Sequence, residues 1–140
     1  MARIALLCLF AALLAGCSNV ATAERPARSC VSPRAVVPIG FSATKYPHIR
    51  RHYERAVAHG FPSVLVVHRS GTDARRDRLL QSRPTRRGMD RDEYPPAVGR
   101  ASVRASVAYV PSSENRSHGA TLGIKLRRYC DGTRFRYVFY

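Results

Sequence analysis

The period of the apolar positions changes several times along the chain, and each change marks an element. Val36 to Phe41 is a short apolar run that predicts a first strand. Pro47 suits the first turn of a helix that carries Ile49, Tyr53, Ala56 and Val57 on one face, with Gly60 as its stop. Ser63 to His68, with VLVV at its centre, predicts a buried strand, and Thr72 to Leu80 predicts a short helix capped by Thr72. After the basic loop RPTRRG at 83–88, strands are expected around Asp92–Val98 and over Val103–Val110, where Val103, Ala105, Val107 and Tyr109 alternate with polar or small neighbours. Pro111-Ser112-Ser113 opens a helix expected from about Glu114 to Arg128, capped by Ser112 or Ser113, with Ala120, Ile124 and Leu126 on its buried side. Gly119 and Gly123, four apart, would let another backbone approach that helix. Asp131-Gly132 makes a turn into a closing strand with Phe135, Tyr137 and Phe139 on one face. No internal repeat interrupts this order, β-α-β-α-ββα-β, which defines a single small α+β domain over 36–140.

The residues ahead of it read as an address. Arg3 precedes an apolar run from Ile4 to Leu14. At roughly 11 residues it falls short of the about 20 that a spanning helix needs. Leu14-Ala15-Gly16-Cys17 follows, the pattern of a bacterial lipoprotein signal cut before a Cys that then carries lipid. Residues 1–16 are thus expected to be the signal, Cys17 the lipidation site, and 17–35 a polar tether to the membrane. A cut after Ala21-Thr22-Ala23 would release a secreted protein instead. Either route exports the chain, which changes how the cysteines read. Cys8 lies in the signal and Cys17 is reserved for lipid, leaving Cys30 and Cys130 as a disulfide or as two separate thiols. A bridge closing about 100 residues is worth roughly 4–5 kcal/mol in the chain-entropy model. Neither Cys has a second Cys or a His at zinc spacing.

Charge narrows the partner. The 140 residues hold 24 Lys and Arg against 9 Asp and Glu, a net charge of +15. Only Lys45 and Lys125 are lysines, so nearly all of the positive charge is guanidinium, whose fork matches phosphate oxygens. A polyanion is the expected partner. The length excludes repeat arrays and two-domain cofactor enzymes, and a hydrophobic content of 45% excludes a disordered chain.

Three of the nine acids, Asp90, Asp92 and Glu93, fall within four residues, with Arg91 among them, Arg83, Arg86 and Arg87 before and Arg100 and Arg104 after. Two readings are open. One is a salt-bridged patch on a basic surface. The other is a site for a hard cation, completed by oxygen ligands from Glu114-Asn115 at the start of the next helix.

The segments GMDRDEYPPA at 88–97 and ASVAYVPSSENRSHGATLG at 105–123 resemble the NucA/NucB secreted deoxyribonucleases. The resemblance runs back through FSATKYPHIRRHYERAVAHGFPSVLVVHRSGTDARRDRLL and PTRRG and forward to DGTRFRYVF, from about Phe41 to the end. It implies a ββα-metal nuclease fold that cuts DNA with one divalent cation, Mg2+ or Mn2+. Asp92 would be the general base in place of the usual His, and Asn115 would ligate the metal. Glu93 and Glu114 would stand on or beside the metal, and Arg91 and Arg116 would grip the scissile phosphate. The partner would be DNA, held through its phosphates without sequence preference by a monomer, with an inhibitor protein left open.

Two departures from the family pattern stand out. Family members carry a Cys in the central strand and another just after the DEWP-like motif, where this chain has Leu65 and Gly99. His118 occupies a helix position where relatives often have Gln or a small residue. His118, and more firmly His48, His52, His59 and His68, read as surface or packing residues. Tyr53, Tyr94, Tyr109 and Tyr137 read as core, and ARRDR at 74–78 as a solvated helix face. Against the nuclease stand two competing readings. One is a non-catalytic DNA- or polyanion-binding envelope lipoprotein, and the other is a structural lipoprotein held to anionic lipid or wall polymer.

Overall fold

Pro47 has no N–H to lose and a φ already suited to a helix, so helix α1 (Pro47–Ala58) starts on it. It buries Ile49, His52 and Ala56, and Gly60 follows its end at φ 84°, a conformation that favours glycine. The computed structural model describes residues 29–140, so the expected signal, Cys17 and the tether up to residue 28 lie outside the described residues. The order is β1 (Val37–Phe41), α1, β2 (Val64–Val66), α2 (Thr72–Leu80), β3 (Met89–Tyr94), a 3-10 turn (Ala97–Gly99), β4 (Ser106–Pro111), α3 (Ser112–Leu126) and β5 (Arg134–Phe139).

The last strand is the centre of the larger sheet. β5 runs parallel to β1, pairing Phe135 with Val37 and Tyr137 with Ile39, and antiparallel to β2, pairing Phe135 with Leu65. Its alternation sends Phe135 and Tyr137 into the core and leaves Arg134 and Arg136 exposed. Ile39, Phe41, Ile49, Leu65, Val67, Val110, Leu122 and Leu126 close round these rings. The Cys30–Cys130 disulfide is formed, and Val31 N–H donates to the Arg128 carbonyl at 2.9 Å while Cys130 N–H donates to Val31 at 2.9 Å. The end of the expected tether is thereby tied to the domain.

β3 and β4 form a separate antiparallel hairpin, with Asp90 opposite Val110, Asp92 opposite Ala108 and Tyr94 opposite Ser106. Several boundaries expected here move. The strand expected at Asp92–Val98 starts at Met89 and ends before Pro95 and Pro96, which offer no N–H to a ladder, and Val98 lies in the 3-10 turn. β4 starts at Ser106 rather than Val103. Helix α3 follows without a gap from Ser112, so neither serine caps it, and Thr72 is the first residue of α2 rather than its cap. The buried face of α3 is His118, Leu122 and Leu126, spaced by four, whereas Ala120 is exposed and Ile124 is 63% exposed. A buried His in the stripe displaced the expected face. Gly119 and Gly123 consequently face open space and pack against no backbone.

Candidate active site

The hairpin's pleat divides the acidic triplet. Asp90, Asp92 and Tyr94 project to the face shared with Ser106, Ala108 and Val110, and Arg91 and Glu93 project to the other. α1 and α3 both pack on the hairpin. β3 pairs with no other strand than β4, and a cleft of about 520 Å3 is lined by residues of both its faces. Asp90, Asp92, Asn115, Arg116 and His118 line this cleft.

Asp92 is 13% exposed at its side chain, and its Oδ2 lies 2.5 Å from Nδ1 of His52, which is 2% exposed. The other ring nitrogen, Nε2, lies 2.9 Å from the Ser106 hydroxyl. Oδ1 of Asp92 has no hydrogen-bond partner among the described residues. Asp90 accepts a bond from the Ser112 hydroxyl at 2.7 Å and one from Arg116 Nε at 3.1 Å. These contacts, Arg116 first, hold its carboxyl below the usual aspartate range, with a smaller contribution from the Asn115 amide.

The other predicted site residues spend their side-chain bonds on the protein itself, although Arg91 and Glu93 also line the cleft. Glu114, expected on or beside a metal, accepts from the backbone N–H groups of His48 at 2.8 Å and Ile49 at 3.0 Å and pairs with His48 Nδ1 at 2.7 Å. α1 has no side-chain cap of its own, so a carboxylate from α3 satisfies its orphan donors and meets the positive end of its dipole. Glu93 is buried between Arg100 at 2.5 Å and Arg76 at 3.3 Å. Burial raises its carboxyl above the usual glutamate range, and the two guanidiniums oppose that rise. Arg91, expected on the scissile phosphate, donates to the carbonyls of Leu80 at 3.1 Å and Arg83 at 2.7 Å and so anchors the basic loop. Arg116 is 77% exposed and remains open to a ligand at the cleft mouth.

Of the histidines, His118 packs among Phe41, Tyr46 and Tyr137, and burial lowers its pKa. That is the packing role expected. His52, expected to be a packing residue too, bonds through both nitrogens and touches the candidate base. The sequence marks Asp90 only as one of a charged cluster, and the place of Ser112, which holds it, suggests a cap. The signal missed was the alternation within DRDEY, which puts Asp90 on the same face as Asp92.

The donor set on this face is all oxygen: Asp90, Asp92 and Asn115. No group of three or more His, Cys, Asp or Glu converges among the described residues. Oxygen donors are what a hard cation takes, and with so few of them free it would keep water or phosphate oxygens in its remaining positions rather than sit in a closed protein cage.

The chain is similar to the DNA-entry nuclease of Bacillus subtilis (strain 168), with 34% identity over 97 residues, 69% of this chain. The match spans 66% of that relative, just under two thirds of its length. No family model matches. A hairpin that brings an aspartate beside the first turn of the helix that follows it is the core of the ββα-metal nuclease fold, and that is the class of this domain. The chain belongs to the NucA/NucB family. Its departure from the family pattern has a spatial sense, because a Cβ on Gly99 would lie 3.2 Å from Leu65 Cδ1. Positions 65 and 99 are therefore neighbours in space, and the disulfide of this chain joins Cys30 and Cys130 instead.

Proposed function

We propose that this chain is an exported, metal-dependent, sequence-nonspecific endodeoxyribonuclease that hydrolyses DNA phosphodiester bonds. The observation that carries the reading is the free Oδ1 of Asp92, set in an open cleft beside Asn115 and an exposed Arg116. A water between Oδ1 and a phosphate in the cleft would give its proton to Asp92 as it attacks phosphorus. Arg116 supplies charge-assisted donors to the phosphate oxygens as negative charge grows on them. The Asn115 carbonyl would hold the divalent cation, Mg2+ or Mn2+. When bound, that ion supplies Lewis acidity for the phosphoryl oxygen and the departing 3′ oxygen.

Substrate choice rests on charge and on the similar nuclease, whose name refers to DNA. Arginine contacts to phosphates carry no sequence information, so cutting is nonspecific and weakens with salt. Attachment to the membrane is assigned to a lipid on Cys17, with release by cleavage after Ala23 as the alternative. No helix among the described residues is long and apolar enough to cross a membrane. The domain is assigned as a monomer.

Plasmid digestion by the chain lacking residues 1–17, with Mg2+ or Mn2+ and then with EDTA, tests the reading. Loss of supercoiled plasmid only with metal is expected. A plasmid that is retarded in the gel but stays intact with both metals would replace the enzyme with the non-catalytic DNA-binding lipoprotein.

A further inference from the structure

We propose that His52 is the positioning residue for the catalytic aspartate, an inference that rests on Asp92 being the base. The imidazole reaches from α1 to both strands of the hairpin, with Nδ1 2.5 Å from Asp92 Oδ2 and Nε2 2.9 Å from Ser106 Oγ. An ionised carboxylate has no proton to give, so Nδ1 is the donor. In the neutral ring the Ser106 hydroxyl then donates to Nε2, which selects one tautomer and one ring orientation. Asp92 faces Ala108 and Tyr94 faces Ser106, so the ring crosses the hairpin diagonally and ties its two strands to the helix.

A packing role alone does not require this arrangement. His118, buried on the neighbouring helix, has an Nε2 with no partner, whereas His52 has none unspent. With Oδ2 held, rotation of the carboxylate is stopped and Oδ1 is the single oxygen left to take a proton. Fixing a base in one orientation lowers a barrier without tightening the grip on substrate. The sequence gives no local sign of this, because His52 and Asp92 stand 40 residues apart.

The test is steady-state cleavage of plasmid at saturating Mg2+ by His52→Leu, His52→Asn and Asp92→Asn, each with its melting temperature. His52→Leu is expected to lower kcat about a hundredfold with KM unchanged, and His52→Asn, whose amide can donate to Oδ2, to recover about tenfold of it. Wild-type kcat in His52→Leu while Asp92→Asn is inactive would overturn this inference alone. An active Asp92→Asn would overturn the base itself. A His52→Leu loss that tracks the melting temperature, with no recovery in His52→Asn, would reduce His52 to a structural residue and overturn the proposal. Nitrogen-15 spectra of the metal-free protein read the same geometry without activity and without a variant that must fold. A proton on His52 Nδ1 is expected, and a bare Nδ1 would overturn the proposal.

Discussion

The two faces of one hairpin treat their charges in opposite ways. On one, Glu93 is enclosed by Arg100 and Arg76, and Arg91 spends its donors on loop carbonyls. On the other, Asp92 is fastened by one oxygen only, and Arg116 touches Asp90 while staying exposed. Adjacent residues of the same charge therefore differ in what they can do. A group whose bonding capacity is filled by the protein holds the fold, and a group left partly unfilled beside a cleft is available to a ligand. The acidic cluster contains both the salt-bridged patch and the candidate site, separated by the pleat.

The largest effect should come from substituting one carboxylate on each face. Asp92→Ala is expected to lower kcat by about a thousandfold or more while DNA retardation and folding persist, because a positioned base contributes about 10²–10⁴ in rate. Glu93→Ala should leave activity per folded molecule near wild type and lower stability by about 3–5 kcal/mol, the range for a buried ion pair that loses one partner. Urea unfolding and plasmid cleavage on the same samples measure both. A stable but inactive Glu93→Ala would break the division between the faces.

The arginines repeat the contrast at smaller scale. Arg116→Ala should lower kcat/KM by roughly ten- to a hundredfold with at most a slight fall in melting temperature, as one charge-assisted phosphate contact of about 1.5–3 kcal/mol would. Arg91→Ala should retain kcat/KM and make the 83–88 loop easier to cut with trypsin, since its two carbonyl partners lose their donor. The reverse pattern would return Arg91 to the phosphate-binding role that the family resemblance implies.

How much of this was legible in the chain follows from which interactions are local. The α1 start at Pro47, the span of α2 and the alternating RFRYVF of β5 are written in neighbouring residues, and the structure has them where the pattern places them. β3 was displaced because MDRDEY satisfies its two faces with ion pairs and hydrogen bonds instead of apolar burial, so hydrophobicity cannot locate its ends. α3 was rotated because a histidine fills a core position that an apolar count skips. The motifs point to Asp92, Asn115 and Arg116 as candidates but not to the contacts around them, since His52 to Asp92 and Glu114 to α1 are tertiary contacts with no spacing rule.

The smallest effect separates Asp90 from both of its neighbours. Arg116 and Ser112 hold its carboxyl below the ordinary aspartate value of 3.8. A carboxyl whose pKa falls on folding contributes stability that is full above the unfolded pKa and is lost as pH drops through the folded one. Asp90→Asn should therefore melt slightly below wild type from pH 5 to 7, by about 1 kcal/mol or less because Arg116 is mostly in water. The gap should close as pH falls through about 4 toward 2, where the wild-type carboxyl is also neutral. Added salt should shrink the gap at neutral pH for the same reason. A gap that survives at pH 2 would mean that Asp90 holds Ser112 and the start of α3 by hydrogen bonding alone. Its carboxylate would then belong with the filled groups of the opposite face.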